Sequence, residues 1–167
     1  MSNVSPMKRL ILIFLALFSS SVFSADESNW VVKVQDYEGY PLFTRYPENL
    51  NYNKLKNLYP TRLIVDLTFA KIKENGLPAN GYNESLEDFD SFVVEYFMEN
   101  SMGICVLVET YYGKRHFYSY VSNTADVDAF KRVLLKKFPQ HEFEMEIKSD
   151  KNWSFIRKYS KDFLKNG

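Results

Sequence analysis

The sequence predicts a single α+β domain in which an antiparallel sheet is covered by helices on one face. From Arg62 onward the elements read strand, helix, strand, strand, helix, strand. Two apolar runs, residues 104–111 and 115–121, flank a turn at Gly113, which is typical of a hairpin. Residues 141–147 alternate apolar and glutamate side chains. This order is the split β-α-β plan of ferredoxin-like folds, to which the chain adds an N-terminal hairpin and a C-terminal helix.

The strands are predicted from runs of β-branched and aromatic residues. Residues 30–35 and 40–46 form the N-terminal hairpin, with Pro41 confining the second strand to a strand start or a sheet edge. Residues 62–69 are apolar on both faces, so they are expected to lie between other strands. The split β-α-β order places residues 141–147 beside them.

The helices are predicted from caps and from apolar spacing. Ser85 begins a capping box and a helix to about Asn100. Thr124 can cap a second helix that ends at Pro139, and Asp150 can cap the last one. Residues 48–60 lack clear periodicity and are predicted to be a loop that can include one helical turn. The expected packing residues of the helices are Phe89, Phe92, Val93, Tyr96, Phe97, Val127, Phe130, Leu134, Phe138, Trp153, Ile156, Phe163 and Leu164.

The N-terminus has the three-part pattern of a secretory signal peptide. Lys8 and Arg9 precede the apolar run 10–18, and small residues follow up to Ala25. This run is shorter than the roughly 20 residues that span a bilayer, although an uncleaved anchor is the alternative. Residues 1–24 are therefore predicted to be removed, leaving one domain, residues 25–167, in the periplasm or outside the cell and not membrane-bound.

The composition bears on possible partners. The chain has 21 basic and 21 acidic residues, a balance that argues against nucleic acid as a partner, because phosphate binding needs a basic surface. Cys105 is the only cysteine, so no intramolecular disulfide can form. Its apolar surroundings predict a buried thiol. Aromatic residues make up 17% of the chain, which is first explained by core packing.

Several short motifs occur together along residues 30–159. Asn75-Gly76-Leu77-Pro78 precedes the first long helix, and the hairpin carries the sequence Gly113-Lys-Arg-His-Phe-Tyr-Ser-Tyr120. Phe138-Pro139, Phe143-Glu144 and the pair Asp150 and Trp153 follow. In combination these residues resemble the domain-of-unknown-function 695 family, with Asn75 in place of that family's aspartate. The resemblance implies no reaction, because the family has no established activity.

Motifs of catalysis and of metal binding are absent. His116, His141 and Cys105 do not form a ligand pair such as HxH or HExxH. The row Glu142, Glu144 and Glu146 fits a solvated strand face better than a calcium loop. No G-x-S-x-G elbow, P-loop or GxGxxG occurs. No catalytic, metal or cofactor residue is assigned, and a binding or interaction module is favoured; the alternative is a periplasmic hydrolase with a dispersed carboxylate and histidine site.

One group of residues is a candidate interaction site. Tyrosine and arginine are enriched at protein-interaction hot spots, and five such residues surround the hairpin turn. We call them the hairpin rim: Tyr111, Tyr112, Arg115, Tyr118 and Tyr120. The competing explanation is that Tyr118 and Tyr120 cover the sheet face. The partner would be a protein or a small molecule.

Arg115 is the informative member of the hairpin rim. It shares a strand face with Phe117 and Val121, which points it toward the core. A buried guanidinium without a partner costs several kcal/mol. Arg115 is therefore expected either to pair with an acid such as Glu109 or to stand at the rim as a ligand contact.

Overall fold

The computed structural model describes residues 30–164, so the predicted signal peptide lies outside the described residues. Within this range the chain is an α+β domain with six strands and four helices. The strands are β1 (Trp30–Tyr37), β2 (Tyr40–Pro47), β3 (Thr61–Thr68), β4 (Gly103–Tyr111), β5 (Lys114–Val121) and β6 (Glu142–Ser149). The helices are α1 (Tyr52–Leu58), α2 (Glu87–Glu99), α3 (Val127–Lys137) and α4 (Ser154–Tyr159).

All six strands form one open antiparallel sheet in the order β1-β2-β4-β5-β3-β6. The predicted hairpin is confirmed, since Tyr111 pairs with Lys114 across its turn. The central position of β3 is also confirmed, because β3 pairs with β5 on one side and with β6 on the other. The predicted N-terminal hairpin is present as β1 and β2.

The main core lies between the sheet and the pair α2 and α3. Buried residues of β3, β4 and β5 pack against aromatic side chains of both helices, and the helices thus share one face as predicted. The buried residues of this core are Leu63, Val65, Leu67, Phe69, Leu86, Phe89, Val93, Phe97, Cys105, Val108, Phe117, Val121, Phe130, Leu134 and Phe138. Cys105 is buried among them, as the sequence predicts, and burial raises the pKa of its thiol to about 11.

A second, smaller core lies on the opposite face of the sheet, where α1 and α4 pack. Its centre is Trp153, which stacks on Tyr120 with 4.2 Å between ring centroids and donates a hydrogen bond from Nε1 to the carbonyl of Tyr59. A bulge in β4 between Cys105 and Leu107 turns both Val106 and Leu107 toward this core. The helices therefore occupy both faces, not one alone.

Three local predictions differ from the structure. Residues 52–58 form α1, where a loop was expected, because Asn51 caps the helix by accepting a hydrogen bond from the Lys54 amide. Ser85 does not cap α2: its hydroxyl donates to the Tyr82 carbonyl inside a 3-10 turn at Glu84–Leu86. The cap of α3 is Asp126, two residues after Thr124. Among the residues described, no helix is long and apolar enough to cross a bilayer.

The cap of the last helix is as predicted. The carboxylate of Asp150 accepts hydrogen bonds from the amides of Ser154 and Phe155, at 2.7 Å and 3.1 Å. It also accepts one from the hydroxyl of Tyr120 at 2.6 Å. Asp150 and Trp153 thus fasten α4 to β5 and to the end of α1, which is a structural role for this pair.

Candidate functional site

The two helices of the main core do not cover the whole sheet. A helix with its side chains is about 10 Å across, and strands lie about 4.8 Å apart. Two helices therefore cover about four strands, here β4, β5, β3 and β6. The inner face of the β1–β2 hairpin extends beyond α2, and a cleft of about 620 Å³ remains between them.

The cleft has a sheet floor, a helical wall and a loop wall. The floor comes from β1, β2, β4 and β5, and the helical wall comes from the start of α2. The loop between β3 and α2 closes the third side. The residues that line the cleft are Val32, Phe43, Arg45, Lys73, Leu77, Pro78, Ala79, Asn80, Asn83, Glu84, Glu87, Asp90, Ser91, Val108, Thr110 and Arg115.

Arg115 lies in the floor of the cleft, with its side chain only 9% exposed. Its Nε donates to Thr110 Oγ1 at 3.0 Å, and its Nη2 donates to Asn83 Oδ1 at 2.8 Å. Its Nη1 lies 2.5 Å from Oδ2 of Asp90. These three contacts compensate the burial of the guanidinium.

Asp90 also contacts a second arginine. Its Oδ2 accepts a hydrogen bond from Nη2 of Arg45 at 3.1 Å. Oδ1 of Asp90 is buried and has no hydrogen-bond donor among the residues described. Unpaired buried acceptors are rare in folded proteins. We call this cluster the arginine floor (Arg45, Asp90 and Arg115), and Oδ1 of Asp90 is its one acceptor without a donor among the residues described.

The loop wall is held by a close approach of two backbones. Gly76 has a φ of +76°, and a Cβ added to it would lie 2.9 Å from the Cα of Tyr112. The amide of Gly113 donates to the Gly76 carbonyl at 2.7 Å. Glycine is needed here for both reasons. The stretch Asn75–Pro78 is thus docked on the β4–β5 turn, and from there Leu77 and Pro78 face the cleft.

Arg115 confirms one prediction and corrects another. It shares a buried face with Phe117, as the alternation of β5 predicts. The proposed pairing with Glu109 is wrong, because Glu109 lies across from His116 and faces the opposite side of the sheet. The cross-strand neighbour of Arg115 is Thr110, and its acid is Asp90 on α2.

The structure separates the members of the hairpin rim. Tyr112 is 60% exposed at the turn, and Tyr111 is half-buried beside it, whereas Arg115 belongs to the arginine floor. Tyr118 and Tyr120 lie on the other face, where Tyr118 stacks on Phe155 and Tyr120 is fully buried against Trp153. These two tyrosines cover the sheet, which was the competing explanation.

Two tyrosines that the sequence interpretation did not include join the exposed part of the rim. The ring of Tyr37 lies 5.4 Å from that of Tyr111, and the ring of Tyr40 lies 4.7 Å from that of Tyr112. Both belong to the β1–β2 hairpin. The turns of the two hairpins therefore meet in an aromatic cluster at one end of the sheet.

The opposite face carries a histidine–acid pair. Nδ1 of His116 lies 2.5 Å from Oδ1 of Asp66, its cross-strand neighbour. The hydroxyl of Tyr159 donates to Glu109 at 2.5 Å, and burial together with this carboxylate raises the pKa of Tyr159. Across residues 30–164, no group of three or more His, Cys, Asp or Glu side chains is placed to hold a metal ion.

The sequence interpretation missed Arg45, Asn83 and Asp90. They come from β2, the loop and α2, so no short motif joins them. One local signal could have drawn attention to Asp90: it is an acid next to Phe89, on the helix predicted to pack on the face of Arg115.

The fold and the site define this protein as an α+β domain with a cleft over the part of the sheet that the helices leave uncovered. Comparison with family models shows that the chain belongs to the "Family of unknown function (DUF695)", which matches residues 28–160. Comparison with curated proteins gives no significant match. Comparison with solved structures gives none either.

Proposed function

We propose that this protein is a non-catalytic binding domain that holds a small amphipathic ligand in the cleft beside α2. The single observation that carries the proposal is the cleft itself, about 620 Å³, in which apolar side chains lie beside a partly buried charged cluster. Ligand sites of this size combine an apolar lining with a few convergent polar groups. Val32 and Phe43 supply the accessible apolar surface, and Arg45, Asp90 and Arg115 supply the polar groups.

The domain is assigned to the periplasm or the cell exterior. This assignment is supported by Lys8 and Arg9 ahead of the apolar run 10–18. Cleavage before Ala25 or Asp26 leaves a domain that no longer needs a membrane. N-terminal sequencing of the protein recovered from a bacterial host tests it, and an intact Met1 or Met7 on membrane-bound material would contradict it.

The part of the fold from β3 to β6 is assigned to the ferredoxin-like type. The strand order β4-β5-β3-β6 and the placement of α2 and α3 on one face support this assignment. In this description β1 and β2 are an added hairpin that extends the sheet beyond the two helices. The addition provides the floor of the cleft, so the ligand site belongs to what distinguishes this domain from the plain fold.

The exposed tyrosines offer a second binding mode. Tyr37, Tyr111 and Tyr112 leave ring surface accessible at the hairpin turns, and such residues suit a protein partner. Nucleic acid is not proposed, because the basic and acidic residues balance. A Tyr112→Ala variant that still captured the same periplasmic proteins as the original would exclude this mode.

Hydrolysis is the second candidate function, favoured by the pair His116 and Asp66. A carboxylate at Nδ1 orients an imidazole for general base catalysis at Nε2. The pair lies on the face opposite the cleft, so the two candidates use different surfaces. A hydrolytic activity of the purified protein that disappears in His116→Asn and persists in Ser91→Trp would support this candidate over binding in the cleft.

The cleft is tested by NMR with isotopically labelled protein and a library of small amphipathic molecules. Binders are expected to shift the amide signals of Arg45, Ser91 and Thr110. Ser91→Trp fills the cleft from α2 and should abolish these shifts. Met98→Trp adds the same side chain at an exposed position of α2 outside the cleft and should leave them. Absence of any binder whose shifts depend on Ser91 would contradict the proposal.

A further inference from the structure

The two arginines of the arginine floor are not equivalent. The side chain of Arg115 is only 9% exposed, and all three nitrogens of its guanidinium group have hydrogen-bond partners. The side chain of Arg45 is 41% exposed. Among the residues described, its guanidinium donates one hydrogen bond, from Nη2 to Asp90. A guanidinium carries five N–H donors, so Arg45 keeps most of its donors available to a ligand.

The net charge of the cluster also indicates that Arg45 is the group available to a ligand. Two guanidinium groups share one carboxylate, so the arginine floor keeps one positive charge in excess. The shared oxygen of Asp90 is closer to Arg115, at 2.5 Å, than to Arg45, at 3.1 Å. Arg45 is also the more exposed of the two guanidinium groups, so it is the one that presents positive charge to the cleft.

The other charged side chains of the cleft lie at its entrance. Lys73, Glu84 and Glu87 are exposed on the loop and on the first turns of the helical wall. Glu95 lies with Arg45 along a small neighbouring cavity of about 140 Å³ but forms no ion pair with it within the described residues. Water screens exposed charges strongly, whereas a charge above an apolar floor acts through a lower dielectric. Arg45 differs from these entrance side chains because it stands on the sheet floor, directly opposite Val32.

The neighbours of Arg45 on the sheet are apolar. Val32 on β1 and Val108 on β4 are its direct cross-strand partners. Phe43 lies two residues before it on the same face of β2, beside Val34 and Thr110 in the next row. Val32 and Val34 are 60% and 53% exposed. A ligand that pairs with Arg45 thus finds accessible hydrocarbon surface on the β1 side of the floor, at Val32 and Val34, whereas Val108 on β4 belongs to the buried core.

We propose that the cleft is specific for a molecule that carries a carboxylate at one end of an apolar segment. The carboxylate binds the free donors of Arg45, for which the planar fork of guanidinium is well matched. The apolar segment lies along Val32 and Phe43. Asp90 remains paired with Arg115, so the carboxylate of the ligand replaces solvent at Arg45 and not a protein partner. This inference rests on the proposed function and adds the chemical class of the ligand.

Three probes of one shape test the inference: hexanoate, hexanamide and hexylammonium, titrated separately into the labelled protein at neutral pH and constant ionic strength. Hexanoate is expected to shift the cleft amides with a Kd at least tenfold lower than that of hexanamide, and hexylammonium is expected to bind most weakly. Charge-assisted hydrogen bonds are about twice as strong as neutral ones, which supports this order.

Variants assign the preference to Arg45. Arg45→Gln should remove the tenfold advantage of hexanoate while leaving the affinity for hexanamide nearly unchanged. Arg45→Lys keeps the charge but not the fork and should restore part of the advantage. Arg157→Gln removes an exposed cation on the opposite face and should change nothing.

The outcomes separate the two levels of the argument. Equal affinity for hexanoate and hexanamide, or an advantage that survives in Arg45→Gln, overturns the inference about the carboxylate and leaves the cleft as a binding site. Cleft shifts from none of the three probes, together with no binder from the library, overturn the proposed function as well.

Discussion

At the scale of single residues, the burial of Arg115 decides its role. Its guanidinium faces the main core, and its alternation with Phe117 makes that direction unavoidable. The fold then has to bring an acid to it, and α2 does so with Asp90. A strand residue and a helix residue 25 positions apart are thus energetically one unit.

Arg115→Ala is expected to lower the free energy of unfolding by about 1–3 kcal/mol, because Asp90 and Asn83 lose their buried donor. Asp90→Ala should cost a similar amount, and the double variant should cost less than the sum of the two. Urea denaturation of the four proteins measures this coupling. Lys114→Ala, at the exposed neighbouring position, should stay within about 0.5 kcal/mol of the original. Strict additivity would contradict a direct Arg115–Asp90 interaction.

Asp150 makes the stability of the fold dependent on pH in the acidic range. Burial alone would raise its pKa, but the hydrogen bonds from Tyr120, Ser154 and Phe155 outweigh burial and lower the pKa below its ordinary 3.8. A carboxylate with a depressed folded-state pKa stabilises the protein above the unfolded-state pKa, and this contribution is lost as the pH falls through the folded-state pKa.

Tyr120→Phe should therefore destabilise the protein by about 0.5–1.5 kcal/mol at pH 7, and by less at an acidic pH below the lowered folded-state pKa of Asp150, where its carboxyl group is protonated. Urea midpoints at the two pH values measure the difference. Tyr118→Phe is the matched control on the same strand, and its effect should not depend on pH in this range. An equal effect of Tyr120→Phe at both pH values would show that Asp150 is not the group concerned.

At the scale of elements, the loop between β3 and α2 is positioned by one glycine. The loop needs the backbone of Gly76 against that of Tyr112, and a side chain cannot fit between them. Gly81, in the same loop, has a similar φ of +73° but open space around it. Substitutions at the two glycines therefore distinguish the cost of a left-handed backbone conformation from the cost of a steric clash.

Gly81→Ala should cost about 1–2 kcal/mol, the penalty of a left-handed conformation in a residue with a Cβ. Gly76→Ala should cost that amount and about 1–3 kcal/mol more, because the added methyl group meets backbone atoms. It should also weaken binding in the cleft, since Leu77 and Pro78 move with the loop. Thermal unfolding and the same NMR titrations measure both effects; equal stability of the two variants would contradict the close approach.

The elements also show what the sequence could and could not predict. Strands β3 to β6 and helices α2 and α3 follow from local periodicity and from runs of apolar residues. The choice of the helix cap depends on the local path of the backbone before the helix. Thr124 and Asp126 are both suitable capping residues, but only Asp126 accepts a hydrogen bond from the first turn of α3. The arginine floor needs three segments to meet, which no local pattern records. Alternation alone could orient Arg115, but it could not identify Asp90 as its partner.

At the scale of the whole molecule, neighbouring strands of the sheet pair over unequal lengths. β3 pairs with β5 and with β6 over eight residues each, whereas β2 pairs with β4 over three, Phe43 to Arg45. The β1–β2 hairpin is therefore attached to the rest of the sheet by a short ladder. The floor of the cleft crosses this junction.

Native-state hydrogen exchange is expected to divide the sheet at the same place. Amides of β1 and the outer part of β2 should exchange through a partial opening of lower free energy than those of β3 and β5, which should require global unfolding. A carboxylate ligand bound at Arg45 should slow exchange in the hairpin selectively. Uniform protection of all six strands would contradict this division.

The two edges of the sheet differ in their tendency to pair with another molecule at high protein concentration. The outer edge at β6 carries Glu142, Glu144 and Glu146, charges that oppose pairing with another strand. The outer edge at β1 has no partner strand among residues 30–164 and exposes Val32 and Val34. Within residues 30–164 the sheet thus has one edge without a partner strand and one whose charges oppose pairing. Growth by edge-to-edge annealing would end when two β1 edges meet, so this route leads to a closed pair and not to a fibre.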